Sequence, residues 1–192
     1  MKKNILFYGD KMDLFAVLNN FYNEEIENLY LDFSLLRYKK FLLEQGIFGN
    51  VFFGDMRTFK MILKDSVMEV CIKNVGFNKS SYVEEVYGFK KKDYLFKVNT
   101  NIEKRYDYSL SNLNLYNFLN LKKEKDLKVY IGNEDIEFTD HLNNMVSATY
   151  IIADFSPEII VLSNLKIPFY YVNTVADRDV LNYIPNTFYL IK

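Results

Sequence analysis

The chain has 192 residues, 49% of them hydrophobic and 26% charged, with a formal net charge of −1. That length suits one domain, or at most two small ones, with a sizeable core, and the balanced charge offers no broad basic field to nucleic acid or to an anionic lipid surface. A single cysteine, Cys71, and a single histidine, His141, exclude an internal disulfide and a Cys/His zinc site.

Residues 4–8 form a short apolar run that ends at Gly9 and Asp10. This pattern predicts a first strand and a tight turn. Leu14, Val17, Leu18 and Phe21 then recur at helical spacing, which predicts a helix over 11–23 with Asp10 as its N-cap and Asp13 in its first turn. Gly9 would let a ligand approach the first strand end, or would simply serve the turn. Residues 26–33 predict a second strand, Ser34 a cap for a helix reaching Gln45, and Gly46 its stop. Residues 50–53 predict a third strand, closed by Gly54 and Asp55. Arg57 and Lys60 follow, either to meet a phosphate or to form a solvated helix face. From Phe59 the pattern predicts a helix that gives way to a strand near Met68. Cys71 lies between Val70 and Ile72, as an inert core thiol would.

Residues 76–107 break the pattern. Gly76, Gly88 and the alternation of Tyr94, Phe96 and Val98 predict a hairpin or an excursion from the core, with Lys90, Lys91 and Lys92 at a turn. Tyr82, Tyr87, Tyr94, Tyr106 and Tyr108 could line an acceptor pocket or a dimer contact, although packing in the core or at an edge is the simpler role. Leu110, Leu113, Tyr116 and Leu119 predict a helix over 109–121, followed by a solvated link.

Residues 128–173 carry the clearest signal: strand, helix, strand, helix, strand, each strand short, apolar and rich in β-branched or aromatic residues. Such runs belong to a parallel sheet covered by helices. Gly132 and Asn133 follow one strand. Thr139 is the expected cap of the helix that carries His141, a usable general base at its ordinary pKa or else a surface side chain. Asp154 ends the next strand, and Ser156, Pro157 and Glu158 open the next helix. Ligands of open parallel sheets bind outside the carboxyl ends of the strands, where a helix N-terminus offers N–H groups to phosphate. A short helix with Val180 and Leu181, Pro185, and a last strand over 187–191 complete the expectation. The fold class expected is α/β, Rossmann-like, with a mostly parallel sheet, helices on both faces and an irregular or hairpin insertion in the middle. The expected organisation is one domain over 1–192, with half-units 1–75 and 109–192 around an insertion at 76–108.

The strand, the Ser turn, Glu-Ile-Ile-Val-Leu at 158–162 and Leu-Lys-Ile-Pro at 165–168 resemble the donor-binding half of GT-B glycosyltransferases and sugar-nucleotide epimerases. The resemblance implies Ser156 near the donor phosphates and Glu158 on the ribose hydroxyls. Phe155 stands where that family has glycine. The strand–Asp–Ser–Pro–Glu order is also similar to nucleoside deoxyribosyltransferases, which would make Glu158 a nucleophile and use Asp154 to position base or sugar. The function expected is a small transferase that binds a nucleotide sugar or nucleotide through Gly9, Gly132, Asn133, Asp154, Ser156 and Glu158. Asp10 or His141 would be the acceptor base. The alternatives are the deoxyribosyltransferase-like enzyme and a non-catalytic binding or partner subunit, as homo- or hetero-oligomer. No cofactor, metal or nucleic acid is expected. The run at 5–8 is too short for a signal segment and no run suits a membrane span, so a cytoplasmic protein is expected.

Overall fold

A computed structural model describes residues 3–21, 26–63, 68–71, 96–120, 126–173 and 189–191. The chain divides into two compact units, Met1–Lys92 and Asp93–Lys192. Each carries its own parallel sheet with helices in the crossovers, so the fold class is α/β and Rossmann-like.

The first unit runs β1 (Lys3–Tyr8), α1 (Lys11–Phe21), β2 (Ile26–Asp32), a 3-10 turn (Phe33–Tyr38), α2 (Lys39–Glu44), β3 (Phe48–Gly54), α3 (Met56–Leu63) and β4 (Met68–Cys71). Its strands are ordered β3-β2-β1-β4, and each neighbouring pair is parallel. Consecutive residues Ile5, Leu6 and Phe7 are all buried, as a strand covered on both faces requires. Phe15 of α1 meets the Tyr38 ring edge-on at 5.2 Å and stacks on Phe41 at 5.3 Å, which ties α1 to the connection after β2. Asn4, Asn28 and Asn50 stand in register across three strands. Asn28 Nδ2 donates to Asn4 Oδ1 at 2.7 Å, and Asn50 Nδ2 donates to Asn28 Oδ1 at 2.9 Å.

Two local expectations are corrected in this unit. Asp32, not Ser34, provides the cap: its carboxylate accepts the Ser34 N–H at 2.9 Å and opens a 3-10 turn rather than an α-helix. The third strand begins at Phe48, because its pairing with β2 extends that far. Gly46 does stop α2, at φ 71°, where a side chain would be strained. The switch from helix to strand before Met68 is also found.

The second unit runs β5 (Tyr106–Leu110), α4 (Leu113–Phe118), β6 (Val129–Ile131), α5 (Phe138–Val146), β7 (Ala148–Ala153), α6 (Pro157–Asn164), β8 (Tyr170–Val172) and β9 (Tyr189–Ile191). The strand order is β6-β5-β7-β8-β9, again parallel throughout. Every residue of α6 is buried, so this helix is a core element with no solvated stripe. Its end is a Schellman motif: Ile167 N–H donates to Leu162 O at 3.0 Å and Lys166 N–H to Ser163 O at 3.1 Å, with Lys166 at φ 58°. Leu110, Leu115, Ile152 and Val172 pack together beneath α4.

The helix expected over 109–121 is corrected. Ser109 and Leu110 belong to β5, and α4 starts only after Asn112, whose side chain accepts the Leu115 N–H at 3.1 Å. Residues 96–105 form no strand, so no hairpin is present there among the described residues. The rest of that expected hairpin, with Tyr82, Tyr87, Tyr94 and the three lysines, lies outside the described residues. So do the end of the first helix beyond Phe21, the link at 121–125, the short helix with Val180 and Leu181, and Pro185. Tyr108 stacks on Tyr150 at 5.2 Å, in register across β5 and β7. Among the described residues no helix is long and apolar enough to cross a membrane.

Candidate functional site

Each sheet reverses its strand order once, and such reversals open a crevice at the carboxyl ends of the strands. In the first unit the reversal lies between β1 and β4; in the second it lies between β5 and β7.

At the end of β1, Gly9 and Asp10 are both exposed. Asp10 Oδ1 accepts the N–H groups of Met12 at 2.8 Å and Asp13 at 2.9 Å, while Asp13 Oδ2 accepts the Asp10 N–H at 3.1 Å. This is a reciprocal capping box, built from the two acids that the sequence placed at the start of α1. The carboxylate proposed as a base is therefore engaged in holding its own helix. Asp55 plays the same part for α3: hydrogen bonds from the Thr58 N–H and hydroxyl, both 2.8 Å, hold its carboxyl below the ordinary range. Arg57 lies on the exposed side of that helix.

The β5–β7 reversal is built from contacts distant in sequence. Ser111 follows β5 and Asp154 follows β7. Ser111 Oγ donates to Asp154 Oδ1 at 2.9 Å, and Asn112 Nδ2 donates to Asp154 Oδ2 at 2.8 Å. The Asp154 N–H returns a bond to Ser111 Oγ at 3.3 Å. Burial first, and then the Asp154 charge, push the Tyr171 hydroxyl above its ordinary pKa. Asp154 is half-buried. Two of the roughly four acceptor directions of a carboxylate are filled by Ser111 and Asn112, and the others remain for a ligand.

Beside this cluster lies a buried chain of Tyr130, His141 and Glu158, drawn from β6, α5 and α6. Tyr130 Oη lies 3.0 Å from His141 Nδ1, and His141 Nε2 lies 3.0 Å from Glu158 Oε1. His141 is 0% exposed and Glu158 3%. Burial pushes the Glu158 carboxyl up, but the hydrogen bond and charge of His141, a Ser156 hydrogen bond and the residue's own N–H together hold it down at about 2. His141 is thus neither a surface side chain nor an open base. The expected cap is also corrected: α5 begins at Phe138 and Glu137 caps it, accepting the Thr139 N–H at 3.0 Å.

Gly132 closes the arrangement. A Cβ there would stand 2.2 Å from Ser111 O and 2.4 Å from His141 Cε1, so only glycine lets the end of β6 pass between the two groups. Gly132 donates its N–H to Leu110 O at 2.8 Å and is buried, whereas Asn133 is exposed and folds back to accept the Asp135 N–H at 3.0 Å.

Ser156 occupies the N-cap position of α6 in extended conformation, as expected, but its hydroxyl does not cap the helix; it donates to Asp154 O at 3.2 Å. The structure therefore gathers Gly132, His141, Asp154, Ser156 and Glu158 around one unit's strand ends, and places Gly9 and Asp10 at the other unit's reversal. Sequence reasoning missed Ser111, Asn112 and Tyr130. The Ser-Asn pair after an alternating Tyr-Asp-Tyr stretch was the available signal. Among the described residues no group of three or more His, Cys, Asp or Glu is arranged to hold a metal ion. Comparison with models of known families, with curated proteins and with solved structures gave no match.

Proposed function

We propose that the protein binds a nucleotide sugar at the carboxyl ends of the strands in the Asp93–Lys192 unit, in the manner of a small glycosyltransferase. The observation that carries this is the placement of Asp154, held by Ser111 and Asn112, at the β5–β7 strand-order reversal. A carboxylate fixed there with acceptor capacity left suits ribose or sugar hydroxyls. Asp154 takes over the hydroxyl-binding role first expected of Glu158, whose carboxylate faces His141. It is also the carboxylate best placed to accept a proton from an acceptor hydroxyl. The deoxyribosyltransferase-like alternative needs Glu158 as an open nucleophile, and its burial against His141 weighs against that.

A second reading, a binding subunit without chemistry, is favoured by one specific observation. Both groups expected to act as bases, Asp10 and His141, are committed to internal contacts. A thermal-shift panel of UDP-, GDP- and CDP-sugars, free nucleotides and deoxyribonucleosides tests the binding, because a ligand that binds only the folded state raises the melting temperature. A rise with one nucleotide-sugar series, lost in Asp154→Asn, is expected. Turnover of the bound sugar separates transferase from binding subunit. No rise with any nucleotide sugar overturns the proposal.

A further inference from the structure

The start of α6 has no donors left for a phosphate. Pro157 has no N–H. The Glu158 N–H serves its own carboxylate, and the Ile159 N–H goes to Ser156 O at 3.2 Å. The Glu158 carboxylate also sits at the positive end of the helix dipole and offsets the field that would draw an anion. Asp154 adds a second carboxylate at the end of the same strand. A phosphate brought here meets like charge, and like-charge juxtaposition across a binding site is strongly unfavourable. A hydroxyl meets the opposite situation, since Asp154 retains acceptor directions beside the two taken by Ser111 and Asn112.

Resting on the assignment of the β5–β7 reversal as the ligand site, we infer that this site takes the neutral, hydroxylated part of its ligand, a ribose or sugar ring, and that Glu158 bars phosphate from the start of α6. Glu158 acts here as a specificity-determining residue, kept in place by His141 and Tyr130. The phosphates of a nucleotide sugar then lie away from α6, toward solvent.

Calorimetric titration of the full chain tests this with five probes: a nucleotide sugar, the matching nucleoside diphosphate, the nucleoside, the methyl glycoside of the sugar, and inorganic pyrophosphate. The expected result is that the nucleoside or the glycoside binds within about tenfold of the nucleotide sugar, that pyrophosphate alone does not bind, and that Asp154→Asn weakens the neutral probes by about tenfold or more. Glu158→Gln, where it folds, gains affinity for the diphosphate. Binding of pyrophosphate by the natural chain, or a loss of about a hundredfold or more on removing the phosphates, overturns the inference while leaving the site assignment standing. Failure of the nucleotide sugar itself to bind overturns the site assignment instead. The titrations of the natural chain decide the matter even if the Glu158 variant does not fold.

Discussion

In the Met1–Lys92 unit, the helix at the strand-order reversal is capped by its own neighbours: Asp10 and Asp13 exchange hydrogen bonds within one turn. In the Asp93–Lys192 unit, the acid at the equivalent place, Glu158, pairs with a histidine from another helix, and that histidine meets a tyrosine from another strand. Both arrangements answer the same need, since the first N–H groups of a helix lack intrahelical partners. The first is local and exposed; the second is buried and ties three elements together. An exposed local cap can be lost with little effect elsewhere. A buried ion pair cannot lose one partner without stranding the other in the core.

The sharpest way to break this comparison is His141→Ala. It strands the Glu158 carboxylate and should cost about 3–5 kcal/mol, read as a fall in the urea midpoint. The same pair predicts an acid limb. The folded carboxyl of Glu158 lies at about 2 against an ordinary 4.5. Because the folded value is depressed, its stabilising contribution is fully present above pH 4.5 and is lost as pH falls from 4.5 toward 2. Glu158→Gln should flatten stability over that window; an unchanged slope would show that the pair does not behave as a charged one.

Gly132→Ala comes next. The added methyl meets the Ser111 backbone carbonyl and the His141 ring, groups already fixed by other contacts, so overpacking should cost about 1–3 kcal/mol. Gly9→Ala is the control in the other unit: its nearest atom is the tip of the Phe7 ring at 2.6 Å, a side chain that can shift, and the loss should be smaller. Asp10→Ala should cost about 1 kcal/mol, as any exposed N-cap does, with no effect on ligand binding in the second unit. The smallest effect is a gain. Lys166→Gly relieves a left-handed residue in the Schellman turn and should add at most about 1 kcal/mol, seen as a slight rise in the urea midpoint.

What could be read along the chain was what depends on neighbours in sequence. The start of α6 at Ser156, Pro157 and Glu158, the Asp10 cap, the Gly46 stop and the strand at 148–153 all express preferences that act over one turn or one alternation. The failures were long-range. Tyr-Asp-Tyr-Ser-Leu at 106–110 reads as polar and irregular, yet it is β5, next to the strand-order reversal. Its polar residues are satisfied by distant groups: the Asp107 carboxylate accepts the Lys128 N–H at 2.8 Å, and the Ser109 hydroxyl donates to Met145 O at 3.0 Å. With that strand misread, Ser111 and Asn112 were placed inside a helix and could not be seen as partners of Asp154.

His141 shows the same limit in one residue. A lone histidine beside an aspartate in a polar helix start gives no sign of burial, because the partners that make burial tolerable, Tyr130 and Glu158, lie on other elements. The sequence by itself determined the α/β class, the parallel pairing implied by short apolar strands between helices, and the helix starts, since these follow from hydrophobic periodicity and local capping. Only the tertiary structure decided which strands adjoin, where their order reverses, and which acids remain open. Those depend on burial and on hydrogen bonds between residues far apart in the chain, which leave no local periodicity to read.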